Sequence, residues 1–131
     1  MCHPPQEFYE KMAIGSVNDG KNKRLGRAGE RKALRYLRRN GYKILERNYK
    51  NPFGEVDVIA AKDDTVAFIE VKTRLNENYG APSEAVDRRR RNKYVQAAKY
   101  YFYGKQIDKT VRFDIIEILN GEINHIENAF Y

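Results

Sequence analysis

Apolar residues recur along this chain with two different periods, and the switches between them mark its elements. Within residues 22–39, Ala33, Leu34 and Leu37 fall at helical spacing, and Asn40-Gly41 ends the run. The spacing predicts a helix over Asn22–Arg39 with one apolar stripe. Glu30 stands three, four and seven residues ahead of those positions, at the head of the stripe that faces a sheet. The period then shortens to that of strands over Tyr42–Tyr49, Glu55–Ala61 and Thr65–Lys72. A loop at Lys50–Phe53 separates the first two, and a hairpin-length turn at Lys62-Asp63-Asp64 joins the second to the third.

Leu75–Pro82 reads as an exposed loop, and Ser83 as the N-cap of a helix running to about Tyr103, with Gly104 as its stop. Strands over Val111–Leu119 and Glu122–Asn128 close the chain, joined by Asn120-Gly121, a dipeptide that favours tight hairpin turns. The predicted order is α-β-β-β-α-β-β, a single α/β domain with a mixed sheet flanked by helices. Residues 1–21 lack such patterning. Pro4-Pro5 and Asn18-Asp19-Gly20 bracket at most a short helix over Glu7–Ile14. A flexible N-terminal extension over 1–21 and a folded domain over 22–131 are expected.

Two of the strands carry charge where apolar side chains would be cheaper. Glu55-Val56-Asp57-Val58-Ile59-Ala60-Ala61 and Val66-Ala67-Phe68-Ile69-Glu70-Val71-Lys72 are apolar beyond simple alternation, so they read as covered on both faces. Charges there need partners. Alternation puts Glu55 and Asp57 on one side and Val56 and Val58 on the other, with Glu70 and Lys72 together on the neighbouring strand. Pairing as a hairpin brings Asp57 toward Glu70 and Lys72, and Glu30 can complete the cluster from the preceding helix.

That combination suits phosphodiester hydrolysis. Carboxylates hold divalent cations, which neutralise developing charge and acidify a bound water; a lysine beside them orients the water and stabilises charge. The expected metal ligands are Asp57, Glu70, the Val71 carbonyl and Glu30, with Lys72 positioning the water. A solvated hairpin face, with Glu30 favouring the helix dipole, is the plainer alternative.

Composition narrows the chemistry. Cys2 is the single cysteine and His3 and His125 the only histidines, so neither an intrachain disulfide nor a thiolate or histidine-rich metal site can form. A hard ion on oxygen ligands, Mg²⁺ or Mn²⁺, is what remains. The net charge of +7 is concentrated: residues 21–50 hold twelve Lys or Arg against Glu30 and Glu46 alone, and Arg88, Arg89, Arg90, Arg91 and Lys93 open the second long helix. Such faces suit a polyanion. No apolar run approaches a membrane span, and residues 1–20 have no signal-peptide pattern, so the cytoplasm is the expected location and no membrane a partner.

The motifs go further. Gly26-Arg27-Ala28-Gly29-Glu30, Gly41 to Asn48, Gly54-Glu55-Val56-Asp57-Val58-Ile59-Ala60, Phe68 to Arg74, Arg112-Phe113-Asp114 and Asn128-Ala129-Phe130 together resemble the YraN family of bacterial proteins grouped with endonucleases. The resemblance covers about residues 22–131. It implies a restriction-endonuclease-like fold of the PD-(D/E)xK superfamily, related to archaeal Holliday junction resolvases, with Glu30, Asp57, Glu70 and Lys72 as the catalytic set. Val56 stands where the superfamily motif names proline. Gln96 to Tyr100 is similar to the Q-x-x-x-Y helix motif of RecB-type nucleases, which makes Gln96 a candidate DNA contact.

The expected function is therefore a metal-dependent DNA endonuclease acting on branched or single-stranded DNA, and a homodimer is left open. The alternatives are a non-catalytic nucleic-acid-binding module of the same fold and a structural protein with a buried ion network. Tyrosines on the second long helix are expected to pack against the sheet, His125 to be structural, and Arg112 and Asp114 to pair in support of the site.

Overall fold

The computed structural model of the chain describes residues 20–74, 88–106 and 108–129. Two helices and five strands follow the predicted order: α1 (Gly20–Arg39), β1 (Lys43–Asn51), β2 (Gly54–Lys62), β3 (Thr65–Arg74), α2 (Arg88–Tyr101), β4 (Thr110–Leu119) and β5 (Glu122–Ile126). The five strands form one mixed sheet in the order β1-β2-β3-β4-β5. All neighbours are antiparallel except β3 and β4, which run parallel in register from Thr65↔Thr110 to Arg74↔Leu119. A parallel pair needs a crossover, and α2 lies within it.

The alternation of β3 decides which helix covers which face. Ala67 and Ile69 pack with Ala33, Leu34 and Leu37 of α1, alongside Val58, Ala60, Ile116 and Ile118. Val66 and Phe68 pack with Tyr94, Ala97 and Ala98 of α2, alongside Ile59 and Ile115. The central strands are thus covered on both faces, as their near-continuous apolar runs predict. Tyr94 is fully enclosed, and Tyr101 meets Phe68 and Phe102 edge-on, so the helix tyrosines serve chiefly as packing.

Local chemistry sets the boundaries. Asn120 and Gly121 both have positive φ, 51° and 83°, which is the backbone of a primed two-residue hairpin. β1 runs on through Lys50 and Asn51, which sequence patterning gives to a loop. β5 stops two residues early because Asn128 turns left-handed (φ 53°), and its N–H donates to Asp114 Oδ1 while Ala129 N–H donates to the Phe113 carbonyl. Asn128 and Ala129 therefore fold back on β4 instead of extending the hairpin.

Residues 1–19, which contain most of the predicted extension and its short helix, lie outside the described residues, as do the predicted loop 75–82 and the Ser83 cap. Among the described residues no helix is long and apolar enough to cross a membrane.

Candidate active site

β2 and β3 pair only from Lys62↔Thr65 to Val58↔Ile69. Beyond that point they part, and Asp57 occupies the opening. Its Oδ2 accepts the Val71 N–H at 2.8 Å, so a side chain replaces the ladder bond that the β2 backbone no longer makes. The N–H and C=O of one strand residue point to the same side. The Val71 carbonyl therefore opens into the same gap, as its proposed ligand role requires.

The strict alternation expected of β2 fails here. Val58 packs on the α1 side of the sheet but Val56 packs on the α2 side, so the two do not share a face. The strand twists as it leaves β3, and this twist turns Asp57 between the layers. There it interacts electrostatically with Glu30 from α1, with Glu55 and Glu70, and with the Tyr94 hydroxyl from α2. Burial pushes the Asp57 carboxyl up to about 7, with repulsion from Glu30, Glu70 and Glu55 added and the Val71 N–H opposing.

Glu30 is itself raised, by burial first and then by Glu55, with Asn48 and Arg47 opposing. Asn48 has left-handed backbone (φ 50°) on β1. With its amide NH₂ turned toward the acids it donates to Glu55 Oε1 at 3.0 Å and Glu30 Oε2 at 3.2 Å. It thereby bridges β2 and α1.

Glu70 and Lys72 lie on the α2 side of β3. Arg90 Nη1 sits 3.2 Å from Glu70 Oε1 and 3.3 Å from Oε2, straddling the carboxylate. Lys72 is in register with Glu117 of β4, which is buried and pairs with Arg74 at 3.4 Å. Burial lowers the proton affinity of the Lys72 amine; Glu70 opposes, and Arg90 and Arg74 reinforce. A row of alternating charges, Arg90, Glu70, Lys72, Glu117 and Arg74, thus crosses this side of the sheet.

The structure therefore links Glu30 to Asp57, Asp57 to Glu70 and Glu70 to Lys72 by electrostatic interaction. Three participants escaped sequence reasoning: Asn48, Glu117, and Arg90 in its role as partner of Glu70. Glu117 alone left a signal, an acid inside the apolar run Ile115–Leu119 of β4. Arg88, Arg89 and Arg91 are exposed beside the site, as a phosphate-binding surface requires. Lys93 lies over Gly54 at the β1–β2 turn, where a Cβ would stand 2.8 Å from its Nζ and the φ of +129° suits only glycine. Gln96 is half-buried on α2, and no hydrogen bond joins it to the acids among the described residues.

The Arg112–Asp114 pair exists, at 2.8 Å, but does not support the site. Alternation puts Asp114 on the α1 face, opposite Glu70 and Lys72. There it takes His125 Nε2 at 2.8 Å, while Arg112 reaches the Tyr42 hydroxyl and His125 Nδ1 meets the Tyr36 hydroxyl. This network ties α1, β4 and β5 together, and His125 is structural as predicted.

Gly29 sets the approach of α1. A Cβ there would collide with Thr73 Oγ1 and stand 3.3 Å from Thr73 Cβ. That hydroxyl is buried and makes no hydrogen bond among the described residues. Gly29→Ala must lift the first turns of α1 off β3 and carry Glu30 with them. The expected cost is about 1–3 kcal/mol, the usual range for overpacking. Gly26→Ala on the same helix meets nothing within 4 Å and is the control. Urea denaturation of the two variants checks this; equal stabilities would mean that α1 has room to spare.

In donor chemistry the cluster fits a hard divalent cation: oxygen ligands only, and carboxylates crowded enough to hold a proton. In arrangement, no three of these acids already converge as a cation cage among the described residues.

Comparison with known proteins places the chain. The model of the uncharacterised protein family UPF0102 matches residues 29–118, which span the second half of α1, β1 to β3, α2 and all but the last residue of β4. The chain belongs to UPF0102. A UPF0102 protein of Persephonella marina is 45% identical over 106 residues, covering 80% of this chain and 91% of that one. One of Thermodesulfovibrio yellowstonii is 44% identical over 107 residues, covering 82% and 96%. One of Clostridioides difficile is 45% identical over 112 residues, covering 83% and 98%. The family-level resemblance drawn from the motifs holds. The UPF0102 match begins at Gly29 and Glu30, where α1 meets the site.

Proposed function

We propose that this UPF0102 protein is a metal-dependent DNA endonuclease of the PD-(D/E)xK type, acting in the cytoplasm on branched or single-stranded DNA. One observation carries the reading: Asp57 lies where β2 and β3 part, its carboxyl raised to about 7 by burial and by Glu30, Glu70 and Glu55, with Lys72 next to Glu70 on the same side of β3. A fold keeps so costly a cluster when it has a cation to hold.

Asp57, Glu70 and the Val71 carbonyl are the residues that would hold Mg²⁺ or Mn²⁺, with Glu30 beside them. When bound, such an ion supplies charge neutralisation at the phosphate and a water of lowered pKa. Lys72 projects from the Glu70 side of the cluster. Its ammonium is partly desolvated, which strengthens its hold on a developing negative charge and on an attacking water. Asn48 and Glu117 are positioning residues, the first for Glu30 and the second for Lys72. A non-catalytic DNA-binding module would keep the basic faces and have no use for the buried acids.

Purified protein incubated with single-stranded, duplex, flap and four-way-junction DNA in Mg²⁺ or Mn²⁺ tests the reading. Cleavage of at least one substrate is expected. Binding of DNA without cleavage of any would favour the non-catalytic module.

The exposed faces make a separate prediction. Arg31, Arg35, Arg38 and Arg39 on α1 and Arg88, Arg89 and Arg91 on α2 are all exposed. Duplex affinity should fall with salt at a log–log slope of about −0.9 per phosphate neutralised. Replacing Arg88, Arg89 and Arg91 with alanine should weaken binding and flatten the slope by about two to three. An unchanged slope in a fluorescence titration would put α2 outside the interface.

A further inference from the structure

Arg90 differs from its neighbours. Arg88, Arg89 and Arg91 are exposed, whereas Arg90 is turned to the site and its Nη1 covers both oxygens of Glu70, at 3.2 and 3.3 Å. A divalent cation ligated by Glu70 needs those same oxygens. Two cations cannot share them cheaply, because a guanidinium and a metal ion on one carboxylate stand only a few ångströms apart and repel. Asp57 is meanwhile engaged through Oδ2 by Val71, and the acids do not converge as a cage among the described residues. Glu70 is thus the carboxylate whose release would complete the ligand set, and Arg90 is what occupies it.

Arg90 also has somewhere to go. Its side chain is 35% exposed against 14% for Glu70, so the pair lies at the rim with the guanidinium on the solvent side. It sits between two exposed arginines on the first turn of α2, and a change of rotamer brings it into that patch. Guanidinium suits both partners, since its planar fork matches carboxylate and phosphate alike.

We propose that Arg90 is an exchangeable counter-ion of Glu70: a divalent cation displaces it, and a DNA phosphate then takes it up, so that metal and DNA binding strengthen one another. The proposal rests on the nuclease reading and adds to it a coupling that a static site does not need. Binding free energies are reciprocal, so the factor by which the metal tightens DNA is the factor by which DNA tightens the metal.

The test compares the full-length chain with Arg90→Gln, and with Arg90→Lys, which keeps the charge but loses the fork. Circular dichroism and melting curves establish that each is folded. Calorimetric titration with Mn²⁺ alone should show Arg90→Gln binding about tenfold tighter than the native chain, the size of one charge-assisted hydrogen bond, with Arg90→Lys between them. DNA affinity is then measured with and without Ca²⁺. Ca²⁺ should tighten DNA binding by the native chain, and this gain should shrink toward nothing in Arg90→Gln. Without divalent ions Arg90→Gln should bind DNA somewhat more weakly, because Glu70 then faces the phosphates without its counter-ion, so the Ca²⁺-dependent gain is the quantity compared. If the native chain binds Mn²⁺ and Arg90→Gln binds it equally or more weakly, Arg90 is a fixed scaffold for Glu70; the proposal is overturned and the nuclease reading stands. If neither chain binds Mn²⁺, both fall.

Discussion

Asp57→Ala, Glu70→Ala and Lys72→Ala should each reduce DNA cleavage by several orders of magnitude. Asp57 interacts with Glu70 and Glu70 with Lys72, and each substitution removes a different part of the proposed unit: the acid between the layers, the acid on the α2 side, and the ammonium beside it. Their effects should therefore not add in double variants, because residues that act together lose most of their value with the first deletion. Lys72→Ala should retain both Mn²⁺ and DNA binding, since it removes no oxygen ligand and no exposed cation. Glu30→Ala should be milder, because Glu30 comes from α1 and is already shared with Asn48. Single-turnover cleavage assays on variants shown to be folded by circular dichroism decide the matter. A folded Asp57→Ala variant that cuts as well as the native chain would remove the site from the reaction.

The second large effect is on stability and needs no substrate. The Asp57 carboxyl titrates near 7 in the folded chain against an ordinary value of 3.8, raised by burial and by Glu30, Glu70 and Glu55. Between those values the folded state binds more protons than the unfolded, so stability falls as pH rises from about 4 through about 7. The full loss above pH 7 is at most about 4 kcal/mol, from about 1.4 kcal/mol per pH unit. Asp57→Asn removes the titration and leaves an amide oxygen for the Val71 N–H. In EDTA at pH 8 this variant should melt well above the native chain, by roughly 4 °C per kcal/mol recovered in a domain of this size. The advantage should shrink steadily toward pH 5. Mn²⁺ should raise the melting temperature of the native chain at pH 8 through linkage and leave Asp57→Asn little changed. Thermal melts across that pH range, with and without Mn²⁺, measure both effects. A native chain that melts at or above Asp57→Asn in EDTA at pH 8 would show that the cluster carries no charge strain.

Together the two predictions separate what the acids do for the fold from the part proposed for them in cleavage. Two features apart from the acids fix how α1 lies on the sheet. Gly29 lets α1 approach β3, and the Arg112–Asp114–His125 network anchors the C-terminal half of the helix to β4 and β5 on the opposite face.

Local sequence determined the elements. The shift from helical to strand period located α1 and the strands within one or two residues, because each buries one stripe or face whose spacing is fixed by backbone geometry. Asn120-Gly121 determined its hairpin because its backbone must take positive φ at both residues. Charge on apolar strands pointed to Asp57, Glu70 and Lys72, because buried charge is too costly to be incidental. Only the tertiary structure decided how those groups meet. The parting of β2 from β3 after Val58 set Val56 and Val58 on different sides and turned Asp57 between the layers, a twist that period-two patterning cannot anticipate. The parallel pairing of β3 with β4 put Glu117 beside Lys72, and α2 laid Arg90 on Glu70. Arg112 and Asp114 sat one alternation away from the site and joined a different network. Each of these depends on residues brought together from different elements, fixed by the order of strands and the side each helix covers, and no local pattern records it.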